Sequence, residues 1–245
     1  MPPVQRLLAG LLALAGAGAA PGGEVAVDWD ADLARPEGRE AYDRQLRQVV
    51  AEARARVVAA LGIEPQSTLM VKVHSRASFE RAFGTEAAGV DAARFVGDVV
   101  HLNGGARLDD RLAGLVVHEM VHAALDARGT AAALPRWLDE GLAERLAWSR
   151  RGQEEPSPGQ WAELRQARER RRLTPLPLEW TLAPGDYLRS WAAVIFLERR
   201  AGRDRLLAVV RATLGGEHFE KSLRRETALS VEDLERAFED WVGRR

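Results

Sequence analysis

His118-Glu119-Met120-Val121-His122 sets two imidazoles four residues apart, with a carboxylate beside the first. On a helix, positions i and i+4 share one face, so both rings can reach a single metal ion. Glu119 then stands one step round the helix, beside the ion rather than on it, where it can take a proton from a metal-activated water. The surrounding chain, Asp110 to about Arg128, reads as a helix capped by Asp109 or Asp110 and stopped by Gly129. Leu115, Val116, Val117, Val121, Ala124 and Leu125 make that helix apolar nearly all round, which marks it as buried. Two histidines and a glutamate on a buried helix are costly unless something pairs with them, and a metal ion would.

A catalytic zinc usually takes three protein ligands and keeps one position open. Cysteine is impossible as the third, because the chain has none. Pro135 opens a second helix, to about Arg150, which carries Trp137-Leu138-Asp139-Glu140-Gly141-Leu142-Ala143-Glu144. Glu140 follows His122 by eighteen positions, a distance at which helix, loop and helix fold back on themselves. Read together with the histidines, Glu140 is the expected third ligand. Glu144, one turn further on, is placed to accept the free N–H of a ligating histidine. Read alone, each would be a surface carboxylate of an amphipathic helix. Zinc over another divalent metal follows from the ligand types.

His118-Glu119-x-x-His122 followed by Trp137-Leu138-x-Glu140-Gly141-Leu142-Ala143-Glu144 resembles the gluzincin metallopeptidases, and among them the small peptidase MA-like proteins. The resemblance spans roughly Thr68 to Trp241, and its specific part is confined to residues 118–144. It implies an α+β fold, a mainly helical zincin-like domain with a small sheet beside the His-Glu-x-x-His helix. It also implies a tyrosine opening a downstream helix, which Tyr187 matches in Tyr187-Leu188-x-Ser190-Trp191. Tyr187 is the expected donor to a developing oxyanion, with His218 as an alternative and a half-buried core tyrosine as the plain reading. The aminopeptidase branch carries a Gly-x-Met-Glu-Asn-type segment that captures a free amine. Phe95-Val96-Gly97-Asp98-Val99-Val100 stands in its place, so aminopeptidase specificity does not carry over.

The elements that position these residues are legible in outline. The chain has 245 residues, 46% hydrophobic and 29% charged, with 35 basic residues against 36 acidic ones. That is enough for a real core and gives no general attraction to nucleic acid. Residues 1–19 read as a secretory signal peptide: Arg6, an apolar run from Leu7, and Ala17-Gly18-Ala19 before the cut. Retention of this run as an anchor is the alternative. Residues 20–66 form a lead-in, with one short strand around Val25–Trp29 and a helix from Ala41 to Leu61 stopped by Gly62. The resemblance implies that residues 67–245 form a peptidase MA-like zinc-binding domain. Strands are expected at Thr68–His74 and, as one piece, at Arg94–Leu102, with a short helix Ser75–Phe83 between them. Helices follow at Gly159–Leu173, Tyr187–Arg200, Asp204–Leu214 and Val231–Val242, with an extended stretch at Thr174–Leu178 and a turn near Phe219. The basic run Arg165–Arg172 reads as a solvated helix face, and His74 and His101 as ordinary strand residues.

These residues point to a periplasmic or secreted zinc metallopeptidase. Its partner is a peptide or protein substrate, Glu119 is its general base, and no stable membrane insertion is expected after signal cleavage. Two alternatives share the zinc site: a catalytically silent envelope interaction module, and a hydrolase of a non-peptide amide. A silent descendant is free to lose Glu119, and this chain keeps it. The Arg94–Leu102 strand offers an edge on which an extended peptide can pair.

Overall fold

The computed structural model describes residues 25–30, 33, 39–65, 69–85, 93–96, 99–104, 107–126, 134–176 and 184–245. The signal-peptide reading of residues 1–19 therefore lies outside the described residues. The fold is α+β and mainly helical, with a four-stranded mixed sheet. Strand β1 (Val25–Trp29) leads to α1 (Arg39–Leu61), then β2 (Leu69–His74), α2 (Arg76–Phe83), β3 (Ala93–Val96) and β4 (Val99–Asn103). Helices then follow as α3 (Asp110–Asp126), α4 (Arg136–Arg150), α5 (Pro158–Glu169), α6 (Pro184–Ala201), α7 (Arg203–Leu214), α8 (Phe219–Thr227) and α9 (Val231–Gly243). Among the described residues no helix is long and apolar enough to cross a membrane.

The sheet runs in the order β1-β2-β4-β3, with β1, β2 and β4 parallel and β3 antiparallel to β4 at one edge. The lead-in strand thus belongs to the same sheet as the rest, Val25 pairing with Leu69 and Trp29 with Val73. Successive side chains leave a strand on opposite faces. Val71, Val73, Val100 and Leu102 are fully buried on one face. His74 and His101 lie on the other, under Phe79 and Phe83 of α2. The expected single strand Arg94–Leu102 is instead a hairpin, with Val96 paired directly to Val99. Gly97-Asp98, the two residues between, are a dipeptide type that joins such pairs, and this signal outweighs the continuous apolar pattern.

Helix α3 starts as expected, with the Asp109 carboxylate accepting from the Leu112 amide at 3.0 Å. It packs against α1, the β3–β4 hairpin and α4, so its burial nearly all round follows from neighbours on three sides. Helix α4 opens at Pro135 and buries Trp137, Leu138, Leu142 and Leu146. It lies against α6 so closely that a Cβ on Gly141 would stand 2.4 Å from the Ser190 carbonyl oxygen. Only glycine permits that approach. Beyond α4, the Ser157 and Gln160 pair forms a capping box at the start of α5, and Ser230 and Asp233 form another at α9. Two boundaries differ from the sequence reading. The helix from Gly159 ends at Glu169, with Arg171 in the left-handed region, and the turn near Phe219 is a nine-residue helix, α8.

Candidate metal centre

Helices α3 and α4 run antiparallel, and their facing stripes bring His118, His122 and Glu140 together. Among the described residues this is the one His/Asp/Glu group whose ligand atoms all lie close enough to share an ion. His118 Nε2 is 3.1 Å from His122 Nε2 and 3.1 Å from Glu140 Oε2, and His122 Nε2 is 3.5 Å from that same oxygen. A tetrahedral ion with bonds of about 2.1 Å sets neighbouring ligand atoms roughly 3.4 Å apart. The three atoms already stand at that spacing.

The far side of each ring fixes its orientation. His118 Nδ1 lies 3.2 Å from Glu144 Oε1, and His122 Nδ1 lies 2.9 Å from Asp139 Oδ1. Each imidazole donates its Nδ1–H to a carboxylate, which leaves both Nε2 lone pairs pointing inward. Glu144 is itself held by the Trp148 indole, which donates to its Oε2 at 2.6 Å. Arg136, in the first turn of α4, donates to Asp139 Oδ2 at 2.6 Å and pairs with Glu140 Oε1. With Oε1 so engaged, Glu140 Oε2 is buried and has no hydrogen-bond partner. Two nitrogen lone pairs and one orphaned carboxylate oxygen converge. A divalent cation satisfies all three, and the donor set of two imidazoles and one carboxylate fits zinc.

Charge argues the same way. Asp139, Glu140, Glu144 and Glu119 surround two imidazoles and the single guanidinium of Arg136. Burial works to lower the His122 pKa, but Asp139 and Glu140 outweigh it and push it up to about 10. His118 is likewise held well above its ordinary value, Glu140 and Glu144 overcoming the effect of burial. Glu140 and Asp139 move the opposite way. Burial opposes their ionised forms, yet the paired histidines keep both below the usual carboxylate range. The cluster demands positive charge, and two protons or one dication supply the same amount.

Glu119 follows His118 on α3. It is buried, and its Oε2 accepts from the Phe95 amide of β3 at 2.6 Å. That amide points to Glu119 and so not to β4, on the side of the edge strand that meets α3. Tyr187 lies half-buried in the first turn of α6, one turn before Ser190, whose carbonyl abuts Gly141 beside Glu140. Arg189 pairs with Asp186 and donates to the Leu173 carbonyl, tying this turn to the chain that follows α5. His218 caps α8 and lines a cavity of about 590 Å³ with Lys221, Arg224 and Glu232, a cavity that shares no residue with the cluster. Asp139 and Arg136 were not singled out from the sequence. The signal available was local: Asp139 adjoins the expected ligand, and a ligating histidine needs a partner on its second nitrogen. A search of protein-family models finds none that matches the chain, and a search of curated proteins finds no match either.

Proposed function

We propose that the protein is a zinc-dependent metallopeptidase working in the periplasm or outside the cell. His118, His122 and Glu140 would hold the ion. The observation that carries the reading is the convergence of two imidazole Nε2 atoms and a buried carboxylate oxygen that has no hydrogen-bond partner, beside Glu119, a carboxylate the ion does not need. The resemblance of residues 118–144 to the gluzincins supports it, and the signal-peptide pattern of residues 1–19 supports the location. Bound there, zinc supplies a lowered pKa for an adjacent water and polarisation of a substrate carbonyl.

The chain's own residues account for the rest. Glu119, oriented by the Phe95 amide, takes a proton from the attacking water. The water oxygen bonds to the carbonyl carbon, the C–N bond breaks, and Glu119 returns the proton to the leaving amine. Tyr187 donates a hydrogen bond to the carbonyl oxygen as negative charge develops on it. The edge strand β3 pairs with an extended substrate and sets the scissile bond against Glu119.

The test is metal content of the chain from Ala20 onward, beside Glu140→Ala, with cleavage of a mixed peptide library by the same preparations and by Glu119→Gln. About one zinc per chain, lost in Glu140→Ala, and cleavage lost in Glu119→Gln are expected. Zinc without cleavage overturns the peptidase reading in favour of a silent module or a non-peptide amide. Absence of zinc from metal-supplemented protein overturns the site itself.

A further inference from the structure

The facing stripes of α3 and α4 do not end at the metal cluster. Continuing along the same groove, toward the start of α3 and the end of α4, is a cavity of about 140 Å³ lined by Arg111, Leu115, His118, Glu144, Trp148 and Arg151. One wall is thus the edge of a ligand histidine. The opposite end carries two guanidinium groups. Gly114 makes room for the second of them: a Cβ there would lie 3.3 Å from Arg151 Cδ. The Arg151 side chain therefore lies across the backbone of α3, one turn or about 6 Å along the axis from His118. Its guanidinium sits 4.5 Å over the Trp148 ring, and that ring stacks on Trp191 at 5.3 Å with planes 15° apart.

This cation is held by an aromatic face and not by an acid. Among the described residues Arg151 has no carboxylate partner, whereas its neighbour Arg150 reaches Asp110 at 3.4 Å. The one carboxylate in the cavity, Glu144, has both oxygens engaged, by His118 and by Trp148. Contact with a ring face occupies none of a guanidinium's N–H donors, and such a group can bind a carboxylate through two parallel hydrogen bonds. An extended chain advances about 3.3–3.6 Å per residue, so the turn of α3 that Arg151 crosses lies about two residues' advance along the groove from His118.

We propose that this cavity is a substrate subsite that receives a peptide carboxylate, from an acidic side chain or the chain's C-terminus, on Arg151 held over Trp148. The proposal rests on the peptidase reading for its substrate, but its test reads binding and not turnover. Zinc-loaded Glu119→Gln protein is titrated by calorimetry with a neutral peptide, acetylated and amidated, in which Glu or Gln is scanned over two residues on each side of the cleavage point. The same neutral peptide with a free C-terminus forms a second arm. At one position Glu is expected to bind roughly tenfold more tightly than Gln, or the free C-terminus more tightly than the amide, and the arm that responds identifies the source. Arg151→Gln brings that ratio to about one, while Arg150→Gln, the same loss of charge one residue away, retains it. A preference that survives Arg151→Gln, no preference in either arm, or no measurable binding overturns the subsite. Selective binding by the Glu119→Gln protein without cleavage by the wild type leaves the subsite standing and removes the peptidase reading.

Discussion

The molecule contains two pairs of touching histidines, and their surroundings send them in opposite directions. His118 and His122 face each other with ring centroids 4.8 Å apart, and His74 and His101 with centroids 5.0 Å apart. In the helical pair each Nδ1 is taken by a carboxylate, so two lone pairs meet across 3.1 Å beside an orphaned carboxylate oxygen. In the strand pair the His101 ring is hydrogen-bonded to the Val96 backbone, which leaves its Nδ1 to accept from His74 Nε2 at 2.7 Å. Neutral tautomers satisfy that pair without an ion. Burial, reinforced at His74 by the neighbouring ring, lowers both strand pKa values, whereas both helical ones are raised. Spacing brings two imidazoles together in either setting. Carboxylates behind the rings are what turn one pair outward toward a cation.

The most severe way to break the contrast is to remove a ring. His118→Ala or His122→Ala is expected to take metal content from about one ion per chain to none, by mass spectrometry of the dialysed protein. His74→Ala or His101→Ala leaves it unchanged. Next in size are the carboxylates behind the rings. Asp139→Asn and Glu144→Gln should each weaken zinc about 10–100-fold in a chelator competition, while Asp30→Asn, near His74, has no effect on zinc. Arg136→Ala frees both carboxylates it clamps and should cost roughly tenfold in the same assay. Lysine at 136 restores only part, because a single ammonium cannot hold both acids in one plane.

The smallest effect sharpens the contrast through pH in metal-free protein. The helical pair has folded-state pKa values raised above the unfolded value. Its stabilisation is complete below about 6.5 and is lost as pH rises through the His122 value of about 10. The strand pair has folded values below the unfolded one, so the unfolded chain binds more protons as pH falls through about 6.5 and stability is lost on the acid side. Thermal midpoints of wild type against His74→Gln should therefore diverge below pH 6.5 by no more than about 3 °C. The wild type's advantage over His122→Gln should instead shrink progressively as pH rises above 6.5 toward about 10. A wild-type-minus-variant difference that changes with rising pH in the same direction in both windows would contradict the two assignments.

What the sequence revealed and what it withheld divide along the range of the interactions involved. His118, Glu119 and His122 share one helix, and Glu140 and Glu144 share the next, so spacing on each helix carries their relation. Asp139 reaches His122 only because α3 and α4 cross where they do. On α4 alone it points about 100° away from Glu140 and reads as another charged residue. The helical half was legible because its apolar periodicity is local. The parallel pairing of β1, β2 and β4 and the contact between His74 and His101 depend on strand register across long connections, which no single segment encodes. The hairpin between β3 and β4 was within reach, and the Gly97-Asp98 dipeptide was its mark.

Gly141 bears on manufacture more than on chemistry. Helices α4 and α6 meet there main chain to main chain, with the Ser190 carbonyl occupying the space a side chain would need. Glu140 adjoins this contact on one helix, and Tyr187 stands one turn before it on the other. Their separation is therefore gauged by the Ser190 main chain and the branched Val194 side chain, both of which fill the space over Gly141. A single methyl group at 141 acts as a shim that forces the two helices apart.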